Sequence, residues 1–584
     1  METSENTEFS RMKPPFIRCG FTADANPRLN REEVFLCEEA ASLGDKFCIF
    51  HSRSIQKRSE PIRERLEQRI ALTSEGEILR LDGSIFPADL SFTGIEFACG
   101  VSFCDAEFHG QEIDFSETKF ASRAWFCKAA FHGKVSFSRS EFSKGADFKS
   151  AMFHGTDFKS AMFHDDVNFF EAQSEIETDF SSVEFRGAAD FSCMKFAGPA
   201  LFYKAVFQGK VSFEYSELPE GASFLAAMFH GDARFWYAKF GEAQADISTD
   251  FSSVEFHGNV DFRKAKFQGR STSFGSAIFY GSARFWATEF VARKTDFFSA
   301  RFDNQAHFFI CSITGTIDFT FVTLEKEAEL RFQMVDLPKA SFRDVDLRHA
   351  RFLDVTWNRS TRWREGRWRS RVYDEEVWRR GHEKGTSEKE LLDCLARNYR
   401  DLKYCYRSAG ESPLVGHFHY GLMEVQLYQR GIDLIPDKSA RLVQRISLFV
   451  QRWSKRLFSW DVLYRLSSGY GEDYAWTALI TCLFILFCAF AYFAQTIPQM
   501  TPPERIIYLA NGTALPVQTY VPLKQQALAA LLYSLQVGSL GRVHYYADPS
   551  QWPVIAELVY TFESFIVPIQ VVFFAVALRN RFRR

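Results

Sequence analysis

Residues 92–131 read FTGIEFACGVSFCDAEFHGQEIDFSETKFASRAWFCKAAF, and the spacing of their phenylalanines decides the fold. Neither the 3.6-residue period of an α-helix nor the two-residue alternation of a simple strand reproduces this spacing. A chain that turns a corner about every five residues would point each Phe inward, so the spacing predicts a four-sided coil. The Phe positions, in alternating steps of about five and six residues, are Phe92, Phe97, Phe103, Phe108, Phe115, Phe120, Phe126, Phe131, Phe137, Phe142, Phe148 and Phe153.

A small or β-branched residue stands two positions before many of these phenylalanines, so each side of the coil supplies one large and one small inward group. Examples are Val101, Ala106, Ala129, Val135, Ala151, Ala205, Val211, Ala227, Ala265 and Ala283. The pattern resembles the pentapeptide-repeat family, in the variant with alternating five- and six-residue sides, over residues 84–352. The resemblance implies a mainly β fold, a right-handed quadrilateral β-helix.

The register is interrupted at FFEAQSEIETDF (169–180) and FGEAQADISTDF (240–251), where an expected inward Phe is missing. We interpret both places as bulges or duplication seams. A strict five-residue stretch then places Phe332, Leu337, Phe342, Leu347 and Phe352 inward, which predicts a last coil that ends at Trp357. The β-helix is therefore expected over residues 84–357.

Histidine follows the inward Phe in several repeats, at His109, His132, His154, His164, His230 and His257. Residues one coil apart could stack into an outward column that holds metal ions or protons. Other repeats carry Arg186, Gln208 and Gln268 at this position. This variation favours a solvated outer position that tolerates any polar residue.

Residues 1–83 are expected to form an N-terminal cap over the first coil. Within them, Cys19, Cys37, Cys48 and His51 provide three thiols and an imidazole, a set that suits tetrahedral Zn²⁺. Because so short a segment buries little core, a zinc cofactor could supply its folding energy. The alternative is a group of half-buried cysteines in a metal-free cap.

Residues 358–470 are predicted to form a helical neck. An Arg- and Trp-rich run after Trp357 is followed by two helical segments, one ending at Gly410 and one at Gly431, which predict an antiparallel hairpin. The net charge of −3 gives no global basic field, and the outer repeat positions mix both signs of charge. We therefore expect no nucleic-acid partner, and the charges argue against mimicry of DNA.

Residues 471–584 are predicted to form a membrane domain with helices at about 475–497 and 554–578. Cations concentrate before the first helix and after the second, so the positive-inside rule puts both termini and the β-helix in the cytosol. The resemblance places such a multi-pass protein in a bacterial inner membrane. Glu557 and Glu563 fall within the second span, where an acidic group is expected to face protein or water.

A pore-like loop is expected at 524–542, with Ser534, Gln536, Gly538, Ser539 and Gly541 as its candidate residues. The order of span, short helix, turn and span resembles the two-helix pore domain of some bacterial ion-channel-like proteins that carry pentapeptide repeats. That resemblance implies a homo-oligomer that passes ions, with the β-helix as a sensor or as a docking surface for a protein partner. The loop lacks TVGYG, so potassium selectivity is not supported.

The alternative function is a membrane-tethered, protein-binding scaffold without conductance. The chain contains no phosphate-binding Gly loop, nucleophile elbow or His-Glu metal motif, so we expect no enzyme activity.

Overall fold

A computed structural model describes residues 22–23, 35–36, 47–52, 59–88, 90–243, 245–359, 369–381, 388–430, 451, 464, 470, 474–494, 505–508, 514–517, 523–538 and 554–582. The chain divides into two compact units, residues 1–381 and 382–584. The domain boundaries expected at 83, 357 and 470 stay predictions. The two units are described separately below.

The first unit begins with an antiparallel strand pair, Thr22–Ala23 with Phe35–Leu36, and helix α1, Ser59–Leu72. The chain then winds into a solenoid in which each coil contributes one short strand to each of four faces. Parallel ladders join every strand to its equivalents in the neighbouring coils. The structure therefore confirms the four-sided β-solenoid.

The strands of each face, in chain order, are as follows. The first face contains Ile78–Arg80, Gly100–Ser102, Ala124–Trp125, Ala146–Asp147, Val167–Asn168, Ala189–Asp190, Val211–Ser212, Ala233–Arg234, Val260–Asp261, Ala283–Trp286, Ala306–Phe309, Leu330–Gln333 and Ala350–Leu353. The second face contains Ile85–Phe86, Glu107–Phe108, Ala130–Ser136, Met152–Asp157, Gln173–Ser174, Lys195–Phe196, Glu217–Leu218, Lys239–Phe240, Lys266–Phe267, Glu289–Phe290 and Ser312–Ile313. The third face shares Ala130–Ser136 and Met152–Asp157 and adds Glu112–Asp114, Thr178–Asp179, Ala200–Leu201, Ala222–Ser223, Ser248–Asp250, Ser271–Ser273, Lys294–Asp296, Thr316–Asp318 and Ala340–Ser341. The fourth face contains Glu96–Phe97, Lys119–Phe120, Glu141–Phe142, Met162–Phe163, Glu184–Phe185, Val206–Phe207, Met228–Phe229, Glu255–Phe256, Ile278–Phe279, Arg301–Phe302 and Thr323–Leu324.

The inward phenylalanines form long ring stacks along the solenoid, and the stack of the second face is interrupted at Ser174 and Leu218. The ring of Phe115 lies 4.3 Å from that of Phe92 and 4.9 Å from that of Phe137, nearly parallel to both. Rings of adjacent stacks meet edge to face, as Phe92 and Phe103 do at 5.9 Å. These side chains and the small residues before them are fully buried. Offset stacking and edge-to-face packing are the favoured geometries of aromatic pairs, so phenylalanine can fill most of the interior.

Two corners of each coil are tight turns built on the inward Phe. At one such corner, the Ala106 amide donates to the Phe103 carbonyl at 3.1 Å, and Asp105 between them has φ 58°. Left-handed backbone at this turn position is usually left to glycine. Here twenty-three residues other than glycine adopt it along the solenoid. The four-sided coil thus imposes a conformation that the local residues would not choose alone.

Glycine is required at another corner, after the fourth face. A column of glycines runs along this corner through Gly187, Gly209, Gly231, Gly258 and Gly281. A Cβ atom on Gly258 would lie 2.4 Å from the carbonyl oxygen of Gly231 in the preceding coil. The coils approach too closely here for a side chain.

The two expected interruptions differ in nature. At 169–180 the bulge prediction is confirmed, because the offset to the preceding coil rises from 21 residues at Ser174 to 22 at Thr178. In addition, Ser174 is a buried substitution for Phe, since it pairs with Phe153 and Phe196. At 240–251 the irregularity is real: Phe240 pairs with Leu218, 22 residues before it, and with Phe267, 27 residues after it. That coil therefore carries five extra residues.

The last coil includes a 3₁₀ turn, Leu347–His349, and is followed by the antiparallel pair Asn358–Arg359 with Ser370–Arg371 and helix α2, Tyr373–Arg380. In earlier coils the Phe amide after the third face donates to the next coil, as Phe319 does to the Ser341 carbonyl at 2.9 Å. The amide of Phe342 donates instead to Oδ2 of Asp374 at 3.0 Å. Asp374 thus takes the place of the missing next coil.

In the second unit, helices α3 (Glu388–Ser408) and α4 (Ser412–Gln429) form the predicted hairpin. Gln429 Nε2 donates to Asp393 Oδ1 at 2.7 Å, and the rings of Tyr406 and Phe418 lie 5.3 Å apart. These contacts join the far end of α4 to the start of α3 and the start of α4 to the end of α3. The two helices are therefore antiparallel.

Three further helices follow: α5 (Tyr474–Ala494), α6 (Leu523–Gly538) and α7 (Val554–Phe582). An antiparallel pair, Arg505–Tyr508 with Ala514–Val517, lies between α5 and α6 in the chain. Helices α5 and α7 are long and apolar enough to cross a membrane. They lie at the two predicted positions, and α7 continues beyond the predicted end at 578.

Candidate functional site

The bundle of α5, α6 and α7 has large apolar residues outside and small or polar residues inside. Phe487, Phe490 and Phe565 are 64%, 67% and 68% exposed. The buried positions include Thr477, Cys488, Ala489, Tyr492, Ala530, Ser534, Val537, Gly538, Glu563, Val567, Gln570 and Ala577. Small and hydroxyl-bearing residues between helices, with large apolar ones facing outward, are typical of helices packed in lipid.

The contacts of α6 fix its direction against both neighbours. Ser534 Oγ lies 3.0 Å from the Ile485 carbonyl of α5, and the rings of Tyr533 and Tyr492 lie 5.0 Å apart. Ala530, four residues before Ser534, lies in one buried cluster with Cys488 and Tyr492, so going from Ala530 to Ser534 leads back along α5 and the two helices are antiparallel. Against α7, Ser534 contacts Glu563 and Gly538 contacts Val567. A step of four residues along α6, from Ser534 to Gly538, corresponds to a step of four residues in the same direction along α7, so α6 and α7 are parallel.

Glu563 lies at the centre of the three helices and is fully buried. The Tyr492 hydroxyl of α5 donates to its Oε2 at 2.7 Å, and the Ser534 hydroxyl of α6 donates to its Oε1. One carboxyl group of α7 thus holds both other helices. Because a buried carboxylate needs hydrogen-bond donors, these two hydroxyls are essential to its environment.

Gly538, the last residue of α6, allows close approach to α7. A Cβ atom at this position would lie 2.9 Å from Cγ1 of Val567. The absence of a side chain brings the C-terminal end of α6 against the middle of α7.

The predicted pore-loop and acidic residues separate in the structure. Ser534, Gly538 and Glu563 come together in the bundle, whereas Gln536 and Glu557 are exposed. Ser539 and Gly541 lie outside the described residues. The sequence reasoning missed Tyr492, although a hydroxyl inside an apolar span was a usable signal, since such groups generally find a polar partner.

The described part of the predicted cap site is a Cys-His pair. Cys48 Sγ lies 3.1 Å from His51 Nδ1, and His51 Nε2 donates to the Asp82 carbonyl at 2.8 Å. The bond to Asp82 orients the imidazole ring so that Nδ1 faces the thiol. This orientation would suit two ligands of one metal ion. Cys19 and Cys37 lie outside the described residues, so the zinc site stays a prediction.

The histidines after the inward phenylalanines lie on two different corners. His109 and His132 stack at 4.4 Å on the corner after the second face. His230 and His257 stack at 4.7 Å on the corner after the fourth face, and Tyr280 continues that column at 4.5 Å from His257. Residues one coil apart therefore stack outward, as considered from the sequence, but in two columns on two corners of the coil.

An aromatic ridge runs along the corner after the first face. The guanidinium of Arg263 lies between the rings of Trp236 and Trp286, at 4.7 and 4.8 Å from their centroids. Beside it the rings of Tyr215 and Tyr237 stack at 4.7 Å, and Tyr215 is 54% exposed. The Arg and Trp side chains are half-buried and the two tyrosines are exposed, and surface residues of these types are frequent in protein interfaces.

Comparison with known families supports the solenoid. The family model described as pentapeptide repeats, in nine copies, matches residues 194–239. The chain contains pentapeptide repeats. The matched segment lies within the coils whose Phe stacks and tight corners continue on both sides of it. A search of curated proteins and a search of solved structures found no match for this pentapeptide-repeat protein.

Proposed function

We propose that this pentapeptide-repeat protein is an integral membrane protein of channel-like architecture, in which α5 and α7 cross the bilayer and α6 is re-entrant. The observation that supports the proposal most strongly is the direction of α6. Because α6 runs antiparallel to α5 and parallel to α7, α6 and α7 both start at the end of the bundle where α5 finishes. A helix in that position enters and leaves the membrane on one side.

The end of α6 also has the polarity that a cation pathway needs. The C-terminal end of a helix carries a partial negative charge, which stabilises a nearby cation. Gly538 places this end beside Val567, in the middle of α7. The residues that follow, including Ser539 and Gly541, are then proposed to line the constriction. Two spans cannot enclose a pore, so the working channel is a homo-oligomer.

The orientation belongs to the same proposal. The cations before α5 and after α7 favour cytosolic termini in a bacterial inner membrane, with the solenoid in the cytosol as a sensor or docking domain. Reporter fusions at the N-terminus and the C-terminus should both report the cytosol. A periplasmic signal at either end would contradict this topology.

Ion flux tests the channel itself. The purified oligomer in liposomes should pass ions, and replacing Gly541 with Ala should change the selectivity. Leu535→Ala, on the exposed side of α6, is the matched control and should leave selectivity unchanged. A folded, correctly inserted oligomer with the flux of empty liposomes would rule out conductance.

The aromatic ridge favours a second candidate, a membrane-tethered scaffold. Tyr215 and Tyr237 are exposed on the ridge, where a protein partner could cover them. If the protein is a scaffold, Tyr215→Ser together with Tyr237→Ser should abolish binding of the partner while Tyr203→Ser preserves it. Partner binding without flux would select the scaffold over the channel.

A further inference from the structure

Two successive coils bring a carboxylate and two imidazoles together on the corner after the second face. The ladder pairs Phe108 with Phe131, so the residues that follow them, His109 and His132, lie one above the other. Their rings stack at 4.4 Å with an interplanar angle of 12°. Their position is therefore fixed by the backbone hydrogen bonds of the β-ladder.

Glu107 completes the group from the same strand as Phe108. Its Oε2 lies 3.1 Å from Nε2 of His109, and the candidate ligand atoms of Glu107, His109 and His132 all lie within 4.8 Å of one another. The side chains are partly or well exposed, so an ion can enter from solvent and the rings can rotate toward it.

We propose that Glu107, His109 and His132 bind a divalent transition-metal ion such as Zn²⁺ or Ni²⁺. Two imidazole nitrogens and a carboxylate oxygen suit ions of this class, and three protein ligands leave a coordination position for water. The bound ion joins two successive coils near the N-terminal end of the solenoid. Binding to the folded state then stabilises the solenoid by mass action.

The chain contains a close comparison for this site. Glu255 and His257 also form a pair at 3.2 Å, and His230 stacks on His257 at 4.7 Å. In that group the carboxylate comes from the later of the two coils, whereas Glu107 comes from the earlier one. Among the described residues, only Glu107, His109 and His132 have all their candidate ligand atoms within the 4.8 Å limit. His154, which follows His132 on the same corner one coil later, is instead paired with Glu175 at 2.8 Å.

Equilibrium dialysis of the full chain in detergent, against Zn²⁺ and separately against Ni²⁺, tests the proposal. His109→Ala and His132→Ala should each weaken one binding site by about 10–100-fold or more, because loss of even an outer partner of a metal ligand costs that much.

Two controls separate this site from others. His230→Ala should keep it, because that histidine belongs to the group with the wider ligand spacing, and Cys48→Ser should keep it because the predicted cap site is independent. Binding that is unchanged in both His109→Ala and His132→Ala would overturn the proposal. Binding lost equally in His230→Ala would also overturn it, since any stacked histidine pair would then suffice.

Discussion

The hydroxyl of Ser534 donates a hydrogen bond to the carboxylate of Glu563, and this bond joins α6 to α7 inside the bundle. The same carboxylate accepts a second bond from Tyr492 at 2.7 Å, which adds α5. The position of α6 therefore depends on a polar centre of three side chains.

Removing one donor from this centre should loosen the bundle. In Tyr492→Phe the ring stays but the buried carboxylate loses a hydrogen bond, which should lower stability by about 1–3 kcal/mol. Thermal unfolding of the detergent-solubilised protein measures the loss. Ser564→Ala, which removes only a hydroxyl bonded to the Thr561 carbonyl within α7, is the control. Equal midpoints for Tyr492→Phe and the wild type would show that the centre contributes no stability.

Adding a methyl group at Gly538 should push α6 away from α7. Gly538→Ala places Cβ 2.9 Å from Val567 Cγ1, and overpacking of this kind costs about 1–3 kcal/mol. The double variant Gly538→Ala with Val567→Ala should recover part of the stability, because the second change removes the clashing methyl groups. Strictly additive losses in this double-mutant cycle would mean that the two positions do not touch.

The glycine column should tolerate no side chain. Gly258→Ala would place Cβ 2.4 Å from the rigid Gly231 carbonyl, so we expect a loss of at least about 1–3 kcal/mol. Gly275→Ala is the matched control, since its closest neighbour is the Ser273 hydroxyl at 3.3 Å. Denaturant titration followed by far-ultraviolet circular dichroism measures both. A Gly258→Ala variant as stable as Gly275→Ala would contradict the close approach of the coils.

Asp374 should make the end of the solenoid sensitive to pH. Burial raises the pKa of this carboxyl to about 6, although bonds from Ser341 and the Phe342 amide and the charge of Arg343 act in the opposite direction. The folded state therefore binds a proton more tightly than the unfolded state, whose carboxyl has a pKa of about 3.9. The contribution of Asp374 to stability should fall as pH rises from about 4 to about 6 and then level off.

Comparison with Asp374→Asn isolates this contribution from those of the other carboxyl groups. The difference in unfolding free energy between the wild type and Asp374→Asn should change between pH 4 and pH 6 and stay constant above that window. A difference that is independent of pH across the window would show that Asp374 titrates normally.

The phenylalanine register was enough to predict the solenoid, because the core repeats one residue type at one position of every side. It could not distinguish the substitution at Ser174 from the insertion after Phe240, because both leave an 11-residue interval between inward phenylalanines. The residues at the left-handed turns include Asp105, Lys128 and Tyr215, so their chemistry gives no signal of the backbone they adopt.

The membrane-domain residues were found individually, but their arrangement was not predictable. Hydrophobicity locates α5 and α7. Glu563 stands out because it is an acidic residue within an apolar helix. The pairing of Glu563 with Ser534 and Tyr492 depends on how the helices are rotated and displaced, which a single sequence does not specify. Similarly, Asp374 reaches Phe342 across 32 positions in the chain, with no local pattern to connect them.

The contact between Asp374 and Phe342 also bears on how these molecules behave together. The last strand of a β-structure commonly exposes backbone groups to which a strand of another molecule can add, which leads to fibrous aggregates. At this face, the carboxylate already occupies the amide that an added strand would use. The solenoid is thereby protected from end-to-end polymerisation at this point, and its length is set by one polypeptide.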